Sequence, residues 1–175
     1  HSAVTLRAMS SDQGVEVFDG ERPVLVFQKA PKSLDGQFER AGYVHPLYDL
    51  DGRVLTEDFP EDHPHHRGIF WAWHQLNVGD TRVGDPWICR DFLADVKTVD
   101  VLPADSATNL RNWQSIALRA TVDWTSPKWL DDDGNRKPIV HEETVIRVGP
   151  LADDTRSIDF EIRLKAVEPD VSIGG

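Results

Sequence analysis

Two stretches of this chain alternate apolar and polar residues so regularly that they commit it to β structure. From 116 to 124, the set Ile116, Leu118, Ala120, Val122 and Trp124 alternates with Ala117, Arg119, Thr121 and Asp123. From 157 to 165, Ile158, Phe160, Ile162 and Leu164 alternate with Asp159, Glu161, Arg163 and Lys165. Side chains on a strand point to opposite faces in turn, so a period of two means one buried face and one wet face. Asp131-Asp132-Asp133-Gly134-Asn135 reads as a hairpin-type turn. Residues 14–19 and 22–28 read as an opening hairpin through Asp19-Gly20.

One segment breaks the alternation. Ile69, Phe70, Trp71, Ala72 and Trp73 run on without a polar residue. A short continuous apolar run reads as a strand buried on both faces, here 68–76. His74 then ends that strand on the side of Phe70 and Ala72. No long helical periodicity is present. Several short strands, with Gly, Pro and Asp turns between them, argue for an all-β fold, an antiparallel β-sandwich. Its 175 residues suit a single domain. The chain stops directly after a strong strand pattern, which reads as part of a longer sandwich.

Charge narrows the partners. The formal net charge of −11 argues against a nucleic acid, because a polyanion needs a basic face. A local pocket of arginine and histidine can still invert the field for a small anion. The one cysteine, Cys89, excludes an intrachain disulfide and a thiolate metal cage. No apolar run approaches the roughly 20 residues needed to span a bilayer, so membrane insertion is not expected.

The chemistry concentrates in Asp62-His63-Pro64-His65-His66-Arg67-Gly68. His45-Pro46 precedes this block and His74 follows it; of the seven histidines, only His1 and His141 stand apart. Imidazole is the side chain that titrates nearest neutrality and the commonest metal ligand. Pro64 breaks a helix or central strand, so His63, His65 and His66 should sit on an irregular loop. Such a loop can aim imidazoles at one metal ion, with Asp62 as ligand or orienter. It can equally set a general base beside Arg67, whose fork would hold a carboxylate or oxyanion. The plain alternative is a structural loop with its histidines bonded to backbone. The four prolines between Lys29 and Pro64 indicate long connections around short strands, a common setting for a binding site.

Three further groups join the candidates. Tyr43 and Tyr48 flank His45, and a tyrosine beside a histidine can act as an acid or base; the alternative is two tyrosines capping the core. Glu142 falls on the apolar face of Val140, Thr144, Ile146 and Val148, where burial would raise its pKa and suit it to proton transfer. His141 and Glu143 would then point the other way. Six tryptophans are many for this length. Most should be core, Trp124 certainly. Trp71, Trp73 and Trp113 share that reading, and Trp87, in the loop Asp85-Pro86-Trp87, is the fair candidate for stacking on a sugar.

In order and spacing, Arg40, Tyr43-Val44-His45-Pro46, Asp51-Gly52, Thr56, the block 60–68 and Asp85-Pro86-Trp87 resemble the bacterial family called methane oxygenase PmoA. The histidine block is the specific part, and the resemblance spans nearly the whole chain. Members are generally longer and continue past Gly175. The membrane subunit of that name spans the bilayer, and this chain has no such segment, so the name does not carry the function. The resemblance implies bacteria that degrade complex polysaccharides, and a periplasmic or secreted protein. The sheet architecture is similar to the large sandwiches of mutarotase-like and polysaccharide-lyase domains, which is a likeness of fold.

The leading expectation is a carbohydrate-active enzyme. His45, His63, His65 and His66 would line the pocket, with Arg40, Arg67, His74 and Trp87 binding the saccharide. A histidine or Tyr48 would move the proton, with Glu142 as partner acid. Hydrolysis, elimination and epimerisation stay open. A second expectation is a metalloenzyme in which His63, His65 and His66 hold a divalent copper, iron or zinc ion. A third is a sugar-binding module without catalysis.

Overall fold

Turn chemistry and alternation together build the first sheet. A computed structural model describes residues 6–103 and 115–175. His1 and Trp113 lie outside the described residues. β1 (Leu6–Ser10), β2 (Gly14–Asp19) and β3 (Arg22–Gln28) form an antiparallel meander, with Asp19 opposite Arg22 across the turn. Gly20 adopts φ 60°, which the tight connection requires and glycine takes without strain. After a small hairpin of β4 (Lys32–Leu34) and β5 (Gln37–Arg40), β6 (Tyr43–Leu47) pairs with β3 and completes the order β1-β2-β3-β6.

The second sheet holds the long strands. β9 (Leu93–Pro103), β10 (Ile116–Thr125), β11 (Val140–Ala152) and β12 (Thr155–Ala166) run antiparallel in the order β12-β11-β10-β9. The alternation expected over 116–124 is seen: Leu118, Ala120, Val122 and Trp124 are buried while Arg119 is exposed. On β12 the same alternation holds, but Ile158, Phe160, Ile162 and Leu164 are only half-buried. β12 is the edge strand of its sheet, so less material covers it. Between β10 and β11, Asp131 Oδ1 accepts from the Asp133 and Asn135 amides at 3.0 and 2.8 Å, and Gly134 turns the chain at φ 83°. That is the hairpin turn expected there.

A third sheet, β13-β7-β8, joins β7 (Gln75–Val78), β8 (Thr81–Gly84) and β13 (Val171–Gly174). Val17, Leu25, Phe27 and Val44 of the first sheet share one core cluster with Leu118, Trp124, Ile146 and Val148 of the second and Leu76 and Val83 of the third. The fold is an all-β antiparallel sandwich, with no helix among the described residues.

The segment 68–74 corrects one expectation. It is not a strand buried on both faces. Ile69 makes an isolated bridge to Val44, and regular pairing resumes only at Gln75. Phe70, Trp71 and Trp73 are half-buried. Trp71 meets Phe160 at 6.2 Å and Trp73 meets Trp124 at 6.2 Å, so the apolar run lays aromatic rings on the margin of the core. Apolar runs report burial, and a covering layer satisfies them as well as a central strand does.

Candidate functional site

The histidine loop is held from beneath by Arg67. This residue is fully buried, and all five of its N–H donors are spent. Nε donates to Asp58 Oδ1 at 2.5 Å, Nη1 to the Lys32 and Phe38 carbonyls at 3.0 and 2.6 Å, and Nη2 to Tyr43 Oη at 2.6 Å and Asp58 Oδ2 at 3.5 Å. Its guanidinium carbon also lies 3.6 Å from the Phe59 ring centroid and 4.7 Å from that of Tyr43. A substrate finds no donor left on it. The expected substrate-binding role of Arg67 is therefore replaced by a structural one: it ties the loop to β4, β5 and β6.

Local turns then present the rings. The Gly68 amide donates to Glu57 O at 2.8 Å, Phe59 to His66 O at 3.2 Å, and His66 to His63 O at 2.8 Å. Gly68 sits at φ 58°, against Val44 and His45. From this base His63 and His66 stack with centroids 5.0 Å apart and planes at 9°. His65 meets His66 edge-on at 4.5 Å and His63 at 5.8 Å. Trp87 closes the group, 5.9 Å from His66, 6.4 Å from His65 and 5.6 Å from His74, while Phe70 lies 5.5 Å from Trp87. The structure thus gathers His63, His65, His66, His74 and Trp87 into one aromatic cluster.

Charge is distributed unevenly across it. Burial, then the neighbouring imidazoles of His66, His63 and His74, hold the His65 pKa below its ordinary value, against a weaker pull from Asp85. The neutral form of His65 is thereby favoured over the imidazolium. His63 pairs with exposed Asp62 at 3.0 Å, and that contact lowers the Asp62 pKa. His74 Nδ1 lies 3.2 Å from Asp85 Oδ2. An ionised carboxylate only accepts, so Nδ1 carries the proton and Nε2 is left for a ligand. Asp85 is buried and also receives Arg82 Nη2 at 2.9 Å and the Ile88 amide at 3.2 Å.

Other expected site residues lie elsewhere. Arg40 is buried beneath the cluster, its guanidinium 4.6 Å from the Phe70 centroid and Nη2 donating to Pro86 O. Its Nε is buried with no protein partner, and burial lowers its pKa. It supports the Trp87 loop from inside. His45, on β6, is 2.9 Å from Thr56 Oγ1, and desolvation lowers its pKa; its charged neighbours are Asp58, Lys32 and Arg67 rather than the other histidines. Tyr48 bridges Val54. Tyr43 is the tyrosine that is tied in, donating to Asp58 Oδ2 at 2.9 Å, and burial pushes its pKa up. Glu142 is buried as expected, but inside the sandwich: Trp124 Nε1 and Thr144 Oγ1 donate to it at 2.7 and 2.6 Å. His141 and Glu143 do point the other way, pairing with Asp123 and Arg119.

Asp85, Phe70 and Arg82 belong to the site without having been singled out for it. The Asp85-Pro86-Trp87 motif was visible in the sequence; its carboxylate was the signal passed over. Among the described residues no three His, Cys, Asp or Glu side chains are grouped to hold a metal ion. The arrangement offers an imidazole with a lowered pKa, a carboxylate-oriented imidazole and an indole face.

Comparison with curated proteins and with solved structures returns no match. A family model described as a family of unknown function, DUF6807, matches residues 14–175. Its description names no oxygenase and no other activity. Since the match covers nearly the whole chain, this protein belongs to the DUF6807 family.

Proposed function

We propose that the histidine–tryptophan cluster is the active site of a carbohydrate-active enzyme working by acid–base chemistry. One observation carries the reading: His65, whose pKa burial and three imidazole neighbours hold below its ordinary value, lies 6.4 Å from the Trp87 ring. A half-buried indole offers a flat apolar face to a sugar ring. His65 accepts the proton that the reaction releases, from a sugar carbon in elimination or epimerisation and from water in hydrolysis. His74, its Nδ1–H held by Asp85, supplies the returning proton from Nε2 when its ring is the imidazolium. Hydrolysis, elimination and epimerisation all need these two functions, so the proposal names the proton acceptor they share.

The test is a screen of poly- and oligosaccharides for released reducing ends, unsaturated products and epimers. His65→Ala should lower kcat by on the order of a hundredfold or more on the substrate found. Trp87→Ala should act mainly on KM. Saccharide binding without turnover, unchanged in His65→Ala, would make the protein a binding module. Full activity in folded His65→Ala would remove His65 from the mechanism.

A further inference from the structure

The loop that carries Trp87 also borders a cavity. Asp85 and Arg90 pinch its neck, the Asp85 amide donating to Arg90 O at 2.8 Å and the Arg90 amide to Asp85 O at 3.0 Å. Bordering that neck is a cavity of about 260 Å³, lined by Arg82, Gly84, Asp85, Arg90, Asp91 and Lys128. Gly84 lets the walls close, for a Cβ there would meet Asp91 O at 2.7 Å. Asp85 links cluster and cavity: His74 Nδ1 and Arg82 Nη2 meet its Oδ2 at 3.2 and 2.9 Å, and Asp85 also lines the cavity.

Three cations face two carboxylates here, in a chain whose net charge is −11. Both carboxylates are already engaged. Asp85 holds Arg82, His74 and the Ile88 amide, and Asp91 pairs with Lys128 at 2.7 Å. Among the described residues no carboxylate lies within ion-pair distance of Arg90, so its guanidinium is the surplus charge of the cavity. A planar fork of this kind matches a carboxylate by two parallel hydrogen bonds. Against an acidic surface, one local inversion favours an isolated anionic group over a dense polyanion.

We propose that this cavity binds the carboxylate of an acidic saccharide, a uronate-bearing chain whose neighbouring ring lies on Trp87. The proposal rests on the reading of the histidine cluster as a saccharide site and names its substrate class.

Calorimetric titration tests it, using matched pairs of uronate and neutral hexose oligosaccharides of equal length and linkage. The wild-type protein should bind the uronate member more tightly, and less so as salt is raised. Arg90→Gln should weaken uronate binding on the order of tenfold and leave neutral binding unchanged. Arg90→Lys, which keeps the charge without the fork, should recover part of the loss. Lys165→Gln, an exposed charge change on β12, should have no effect. Equal affinity for both members, indifferent to Arg90→Gln, would overturn the acidic subsite and leave the saccharide reading standing. Binding of neither member would overturn both.

Discussion

Arg67 illustrates how a residue can be legible in sequence and misread in role. An arginine next to three histidines looks like an anion clamp, since sequence shows adjacency and not direction. In the fold it points inward, and Asp58, Tyr43 and two carbonyls consume its donors. Asp58 and Tyr43 could not have been matched to it from spacing, because a loop and three strands converge there. The consequence is energetic. Removing one member of a buried, hydrogen-bonded charge pair leaves the other uncompensated, at a cost of about 3–5 kcal/mol. Arg67→Ala should therefore lose stability on that scale in urea denaturation, and Arg67→Lys should lose much of it too, because an ammonium cannot supply five fixed donors. A loss under about 1 kcal/mol for Arg67→Ala would contradict this account.

Elements were easier to read than their neighbours in space. Alternation located β10 and β12, and the Asp19-Gly20 turn located β2 and β3, because period and turn chemistry are local properties. The run from Ile69 to Trp73 was misleading for the opposite reason. Its burial comes from Phe160, Trp124 and the 85–90 loop, which are distant in sequence; the Trp87 amide donates to the Trp73 carbonyl at 3.1 Å. Where that segment meets β6, at the Ile69–Val44 bridge, Gly68 joins the histidine loop to the sheet. A Cβ there would stand 2.2 Å from Val44 O and 2.7 Å from His45 Cβ, at φ 58°. The left-handed conformation alone costs about 1–2 kcal/mol for an alanine, and backbone cannot yield as a side chain can. Gly68→Ala should destabilise the protein by more than that, shift the His65 and His66 ring resonances in NMR, and weaken the site without touching it. An unshifted spectrum would show that the loop does not depend on this contact.

At the scale of the whole molecule, two histidines, one inside the cluster and one outside it, tie stability to pH. His65 and His45 both have folded pKa values below the ordinary 6.5, burial being the largest cause in each. Below that ordinary value the unfolded chain takes up protons that the folded chain refuses, so acidification favours unfolding. The loss begins as pH falls through the unfolded imidazole pKa and ends once the depressed folded values are passed. The carboxylates of Asp62, Glu161 and Glu168 are lowered by hydrogen bonds from His63, Arg147 and Lys137 and act in the same direction, but further down, as pH falls below the ordinary carboxylate range. Two windows should thus be separable in urea midpoints measured between about pH 8 and pH 3. His65→Gln, which cannot titrate, should flatten the upper window and leave the lower one in place. The same proton governs the proposed chemistry, since a base works only while unprotonated: activity on the substrate should persist below the ordinary imidazole pKa and fall with His65. If stability drops in the upper window equally in His65→Gln, the proton is taken up elsewhere, and His45, half-buried with Arg67 and Lys32 as charged neighbours, becomes the group to change next.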